Sequence, residues 1–273
     1  MISPAMRLLL YALTAGYGAL GAILFAAPHW AAAGNFAWNV SPFVAMTIGG
    51  WCLGTAWACL TVARRGSFPA MICPILYLCL FGLFEAAVLI AFRERLLLGN
   101  PLAWLYCATL AVTCLFALLA AVEAVRRPVL TGVGPSMSPT AVVIAVIFIL
   151  LVGFLGVYGL TAVPGMRGLN ASIFPEVLSP FSLRAFGAFY LALALAVIPL
   201  LLVRGIGNLV SHGFAMYALL VFITVAAFVF IGRFDFAARP TQLVYIGIYL
   251  LVAAAVGFYL LRYGTGAEHR ASA

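Results

Sequence analysis

The 273-residue chain contains no lysine, only six acidic residues and only 7% charged residues in all. A soluble domain carries about a quarter charged residues, so the polar surface here is too small to cover a water-soluble globule. Without lysine, no phosphate-binding loop of the usual kind can form. The chain also lacks H-E-x-x-H, paired aspartates and G-x-S-x-G, so the common zinc, aspartyl and serine hydrolase constellations have no place in it. Segments of short alternating hydrophobicity are missing as well, which excludes a transmembrane β-barrel.

Cysteine is present but not in the patterns that carry chemistry. The six residues, at 52, 59, 73, 79, 107 and 114, form no CxxC and all fall in the first half, inside apolar stretches. A disulfide framework is not expected. Cys52, Cys79 and Cys114 could share a depth. However, the positions 138 residues later are Tyr190, Tyr217 and Val252, so these places serve packing and no metal or other cofactor is expected.

What remains is apolar residue: 67% of the chain, with a mean hydropathy of +1.22. The apolar stretches are long and separated by short polar turns, the pattern of an all-α polytopic membrane protein. We read eight spans, at roughly 7–27, 43–63, 70–92, 102–123, 141–161, 181–203, 214–234 and 243–263, each near the ~20 residues that cross a bilayer. The net charge of +8 comes from arginine alone. The arginines are scattered one or two per loop, which fits topogenic charge and anionic lipid contact and not a nucleic-acid partner. An arginine-only, Ala/Leu/Gly-rich composition is expected of a GC-rich bacterial genome.

The second half resembles the first, displaced by 138 positions. Gly18 and Gly21 match Gly156 and Gly159; Phe36 matches Phe174; Ser41-Pro42-Phe43 matches Ser179-Pro180-Phe181. Gly49, Leu53 and Arg95 match Gly187, Leu191 and Arg233. This predicts two tandem four-helix repeats, residues 1–127 and 141–263, with a Pro/Gly/Ser linker at 128–140 and a polar tail at 264–273. An even span count per repeat puts both copies in parallel orientation. The first span is expected to be retained and not cleaved as a signal peptide, because its copy is internal. Both termini are expected in the cytoplasm of a bacterial inner-membrane protein, since Arg64-Arg65 and Arg126-Arg127 then face inward.

Local signals set the helix starts. Ser41 and Ser179 suit N-caps, with Pro42 and Pro180 in the first turn. Trp30 and Trp38 are expected at headgroup level. Gly50-x-x-x-Gly54, Ala188-x-x-x-Ala192, and Gly18 and Gly21 with their copies, should let helices approach closely. Asn39-Val40-Ser41 and Asn170-Ala171-Ser172 match the glycosylation triplet, which carries no meaning in a bacterial chain.

Intramembrane charge is the best pointer to a site. Glu85 stands seven residues before the outer end of the third span, roughly 10 Å inside it. Arg184 stands one turn inside the sixth span, and Arg95 and Arg233 mark the outer ends of the third and seventh. The functional reading is an outward-facing polar pocket between the repeats, with Glu85, Arg184, Arg233 and Arg95 as binding residues. The structural reading is a Glu85–Arg184 ion pair joining the repeats, with Arg95 and Arg233 snorkelling to headgroups. No catalytic residue is expected. A small transporter or carrier fits the first reading, with a membrane accessory or assembly subunit and a lipid-modifying enzyme as alternatives. The expected partners are membrane lipids, a small-molecule or lipid ligand and a membrane partner subunit.

Overall fold

A computed structural model of the protein describes residues 1–126, 131–163 and 173–271, with side chains as far as residue 263. Arg127, Arg167, the triplet at 170–172, the first residues of the linker and the side chains of His269 and Arg270 lie outside the described residues. Eight helices are long and apolar enough to cross a membrane. They are α1 (Pro4–Ala26), α2 (Pro42–Arg65), α3 (Ile72–Ala91), α4 (Pro101–Arg126), α5 (Pro139–Thr161), α6 (Pro180–Val203), α7 (Ile206–Val229) and α8 (Gln242–Ala271). The protein is a polytopic helical membrane protein.

Four helices start in the same way. Ser3, Ser41, Ser138 and Ser179 are N-caps whose hydroxyls accept the amides of Met6, Val44, Ala141 and Ser182, each followed by a proline that needs no amide partner. These four helices are α1 and α2 in the first half and α5 and α6 in the second.

Two boundaries differ most from the sequence expectation: α8 continues to Ala271, eight residues past the expected 263 and into the stretch read as a polar tail. The seventh helix begins at Ile206, eight residues before the expected 214. The α6–α7 connection is only Arg204-Gly205, with Arg204 in the left-handed region (φ 48°) as the cap of α6. Asn208, Ser211 and His212 stand before the expected span, yet they are buried in the helix. Asn208 is satisfied on both sides of its amide: Oδ1 accepts the Val133 amide at 2.7 Å and Nδ2 donates to the Pro69 carbonyl at 2.7 Å. One side chain thereby ties the α2–α3 turn, the linker and the start of α7 together.

Helices equated by the 138-residue offset pack equivalently. α1 lies on α2 as α5 lies on α6, and α3 lies on α4 as α7 lies on α8. Across the halves, α2 packs on α7 as α6 packs on α3. With no hydrophobic drive between helices in lipid, close approach at small residues holds such contacts. A Cβ at Gly21 would stand 2.7 Å from the Leu53 amide nitrogen, and one at Gly159 would stand 2.6 Å from Gly187 Cα. A Cβ added at Gly54 would overlap Leu219 Cα on the α2–α7 face. Gly18 is the exception: a Cβ there meets nothing within 4 Å, so it is not a contact glycine, although its copy Gly156 is.

The loops between α1 and α2 and between α5 and α6 are pinned by one device. Asn100 donates to the carbonyl of Phe36 at 3.0 Å, and Gln242 donates to that of Phe174 at 2.9 Å. Each carboxamide stands at the start of the last helix of its half. Aromatic rings repeat too: Phe36 meets Tyr106 and Phe174 meets Tyr245; Phe92 meets Phe181 and Phe230 meets Phe43. The offset is one residue longer at Tyr106 and Tyr245. Trp38 departs from the headgroup placement expected for it. It is 2% exposed, stacked on Phe181 at 4.2 Å with its Nε1 donating to Ser182, whereas Trp30 is half exposed.

Candidate functional site

Glu85 is buried at 1% exposure on α3. Tyr106 of α4 donates to its Oε2 at 3.2 Å, and its Oε1 has no hydrogen-bond partner. Arg184 does not reach it. The Arg184 Nη1 donates at 2.8 Å to the carbonyls of Gly159 and Ala162, at the end of α5. The expected Glu85–Arg184 pair is therefore not formed. The reason is local: a helix end leaves carbonyls without intrahelical partners, and a guanidinium one turn into the next helix can satisfy two of them. At the equivalent position of the first half stands Met46, and α1 ends without such a cap.

Arg95 and Arg233 occupy equivalent places. Each ends a 3₁₀ turn after α3 or α7, with its amide bonded to the carbonyl of Phe92 or Phe230, and each side chain is exposed. No described interaction joins any two of Glu85, Arg184, Arg95 and Arg233. A shallow depression beside Arg95 is lined by residues 90–95 alone.

An apolar space opens elsewhere, inside the second half. An apolar cavity of about 370 Å³ lies among α5, α6, α7 and α8. It follows α5 from Ala141 to Leu155, a run of roughly 20 Å at about 1.5 Å per residue. Its volume falls in the range of small-molecule sites, about 300–1,000 Å³.

The sequence explains why this half is open and the other closed. In the first half α1 packs against α4; α5 and α8 do not pack in this way. The first-half contact needs Gly16, whose Cβ would stand 2.7 Å from Thr109 Oγ1. It is tied by Tyr17 and Thr113, whose hydroxyls are 2.9 Å apart. The corresponding residues of the second half are Phe154 for Gly16 and Leu155 for Tyr17, with Ile248 and Val252 facing them on α8. The second half therefore lacks both the close-approach glycine and the hydroxyl pair, and the Phe154 ring turns outward, 60% exposed. Leu155, Ile248 and Val252 line the resulting cavity.

Few polar atoms reach this space. Tyr190 and Tyr249 line it and satisfy each other, with hydroxyls 2.6 Å apart. His212 also lines it, 8% exposed, and its Nδ1 has no hydrogen-bond partner. The sequence reading missed this site, because an apolar cavity leaves no charged or motif residue to notice. The available signal was the loss of Gly16, Tyr17 and Thr113 from the second copy. Among the described residues, no group of three or more His, Cys, Asp or Glu could hold a metal ion. No protein-family model, curated protein or solved structure matches the chain.

Proposed function

We propose that the protein is a small membrane carrier that takes an apolar or amphipathic molecule laterally from the bilayer and holds it among α5, α6, α7 and α8. The observation that carries this reading is the apolar cavity, present in one half of a scaffold whose other half is closed at the equivalent place. An otherwise repeated architecture that opens at one position is what a ligand site on a duplicated frame requires. The equivalent helix contacts support two four-helix repeats in parallel orientation, and the arginine distribution supports a bacterial inner membrane with both termini inside. The outward polar pocket expected from Glu85 and Arg184 is set aside, because each has its own structural partner.

The test is chemical analysis of what accompanies the purified protein. The full chain, extracted in mild detergent, should retain about one equivalent of a lipid or other long-chain molecule. Ala255→Trp, which projects an indole into the cavity from α8, should lose it while remaining folded. Retention by both proteins would refute the reading. A partner subunit in stoichiometric amount, with no bound small molecule, would favour the accessory-subunit alternative.

A further inference from the structure

Resting on the carrier reading, we infer that the occupant of the cavity is an anionic phospholipid, held by one acyl chain in the cavity and by its phosphate at the end of the cavity where α7 begins. The cavity is long and lies within the membrane-spanning part of four helices, among residues of hydrocarbon character. Its length of roughly 20 Å suits one extended chain. The gap between α5 and α8 lets a second chain stay in the bilayer.

The two ends of the cavity differ in chemistry. Toward the α5–α6 loop side, the Tyr190 and Tyr249 hydroxyls are bonded to each other and make no demand on a ligand. Toward the other side, His212 presents a ring whose Nδ1 is unpartnered although the residue is more than nine-tenths buried. Whichever nitrogen carries the hydrogen, an imidazole offers either a donor or an acceptor there. Two arginines flank this end. Arg204 follows the lining residue Leu200 on α6, and Arg262 follows Leu260 on α8. Both side chains are exposed and neither forms an ion pair with a described residue. Each carries a guanidinium group able to bind a phosphate in bidentate fashion. A zwitterionic headgroup would set its own cation against the same pair.

The experiment places the full chain in phosphatidylcholine nanodiscs with a trace of phosphatidylglycerol or phosphatidylcholine that carries a spin label near one acyl terminus. The motionally restricted fraction is read by electron paramagnetic resonance. Each surface arginine strengthens binding of an anionic lipid roughly five-fold, so the two together predict a preference of about 25-fold for phosphatidylglycerol. Arg204→Gln/Arg262→Gln should reduce that preference to near unity while leaving the restricted fraction of phosphatidylcholine unchanged. His212→Phe should weaken both probes. Ala255→Trp should abolish the restricted fraction of both; Ala145→Phe, on the opposite wall, serves if the tryptophan variant does not fold. Loss on filling the cavity, but equal binding of the two probes by the wild type, would overturn the headgroup assignment and leave the carrier reading standing. A restricted fraction that survives cavity filling, or one never seen because a second copy covers the α5–α8 gap, would overturn both.

Discussion

Gly18 and Gly156 stand 138 residues apart in helices that pack alike, α1 on α2 and α5 on α6, yet their replacement by alanine should have opposite effects. At Gly156 a Cβ would stand 2.7 Å from the Leu191 amide nitrogen and 2.9 Å from its Cα. The ordinary contact distance begins near 3.4 Å, so α5 and α6 must separate by about 0.7 Å along most of their shared face, and the atoms in the way are backbone. Overpacking of this kind costs about 1–3 kcal/mol. At Gly18 a Cβ meets nothing within 4 Å, and alanine is favoured over glycine in a helix interior by up to about 1 kcal/mol. Gly18→Ala should therefore be neutral or slightly stabilising, and because the propensity gain is common to both variants they should differ by the overpacking cost alone, about 1–3 kcal/mol. Thermal unfolding of each variant in the same detergent, with a double mutant to check additivity, reads the difference. Equal destabilisation by both would mean that α1 and α2 meet at Gly18 as the repeat alone suggests. Absence of any effect at Gly156 would mean that α5 and α6 are not in the contact described.

Three further outcomes follow from named contacts. Asn208→Ala strands the Val133 amide and the Pro69 carbonyl, and should cost about 1–3 kcal/mol for each buried group left unsatisfied; Asn208→Asp, which keeps only the acceptor, should recover part of the loss in a denaturation assay. Arg184→Met should lower stability by uncapping α5, Glu85→Gln should change it little, and the two effects should add to within about 0.5 kcal/mol, since no contact joins the residues. A coupling well above that would restore the ion pair. For topology, in a cysteine-free background in whole cells, Gly99→Cys should react with an impermeant thiol reagent and Thr131→Cys should not; the reverse pattern would invert the orientation.

Much of the fold was legible because it rests on strong local signals. Span-length apolar runs identified all eight helices, and Ser-Pro pairs located the starts of α2 and α6 to the residue. Paired glycines and the Ser-Pro-Phe triplet suggested a correspondence between halves; of these glycines, Gly21 and Gly159 both stand at close helix contacts. The errors share one cause, that a polar residue was read by its type and not by its partner. The expected seventh span begins at 214, after the polar residues Asn208 and His212, but Asn208 is satisfied by the linker and a neighbouring turn, so α7 runs through it. Arg184 looked like the complement of Glu85, but the open carbonyls at the end of α5 are nearer partners. Trp38 looked interfacial because its loop is, yet a stacked Phe181 and a Ser182 acceptor draw it inward. The cavity was illegible for a different reason. It arises where contact residues are lost, and a missing Tyr17–Thr113 tie leaves only ordinary apolar letters in its place.

The most direct test of a lipid-chain cavity in the second half alone is photochemical. A phospholipid with a diazirine along one acyl chain, incorporated into the membrane that holds the full chain, should label Leu193 and Met216, which line the cavity although each is under 10% exposed. Their first-half counterparts, Thr55 and Leu78, are fully buried behind the α1–α4 contact and should remain unlabelled. Peptide mass spectrometry reads all four positions in one experiment. Labelling of Leu193 and Met216, with none at Thr55 and Leu78, is the predicted result; labelling confined to outward residues that do not line the cavity, such as Leu150 and Leu250, or equal labelling at Thr55 and Leu78, would contradict it.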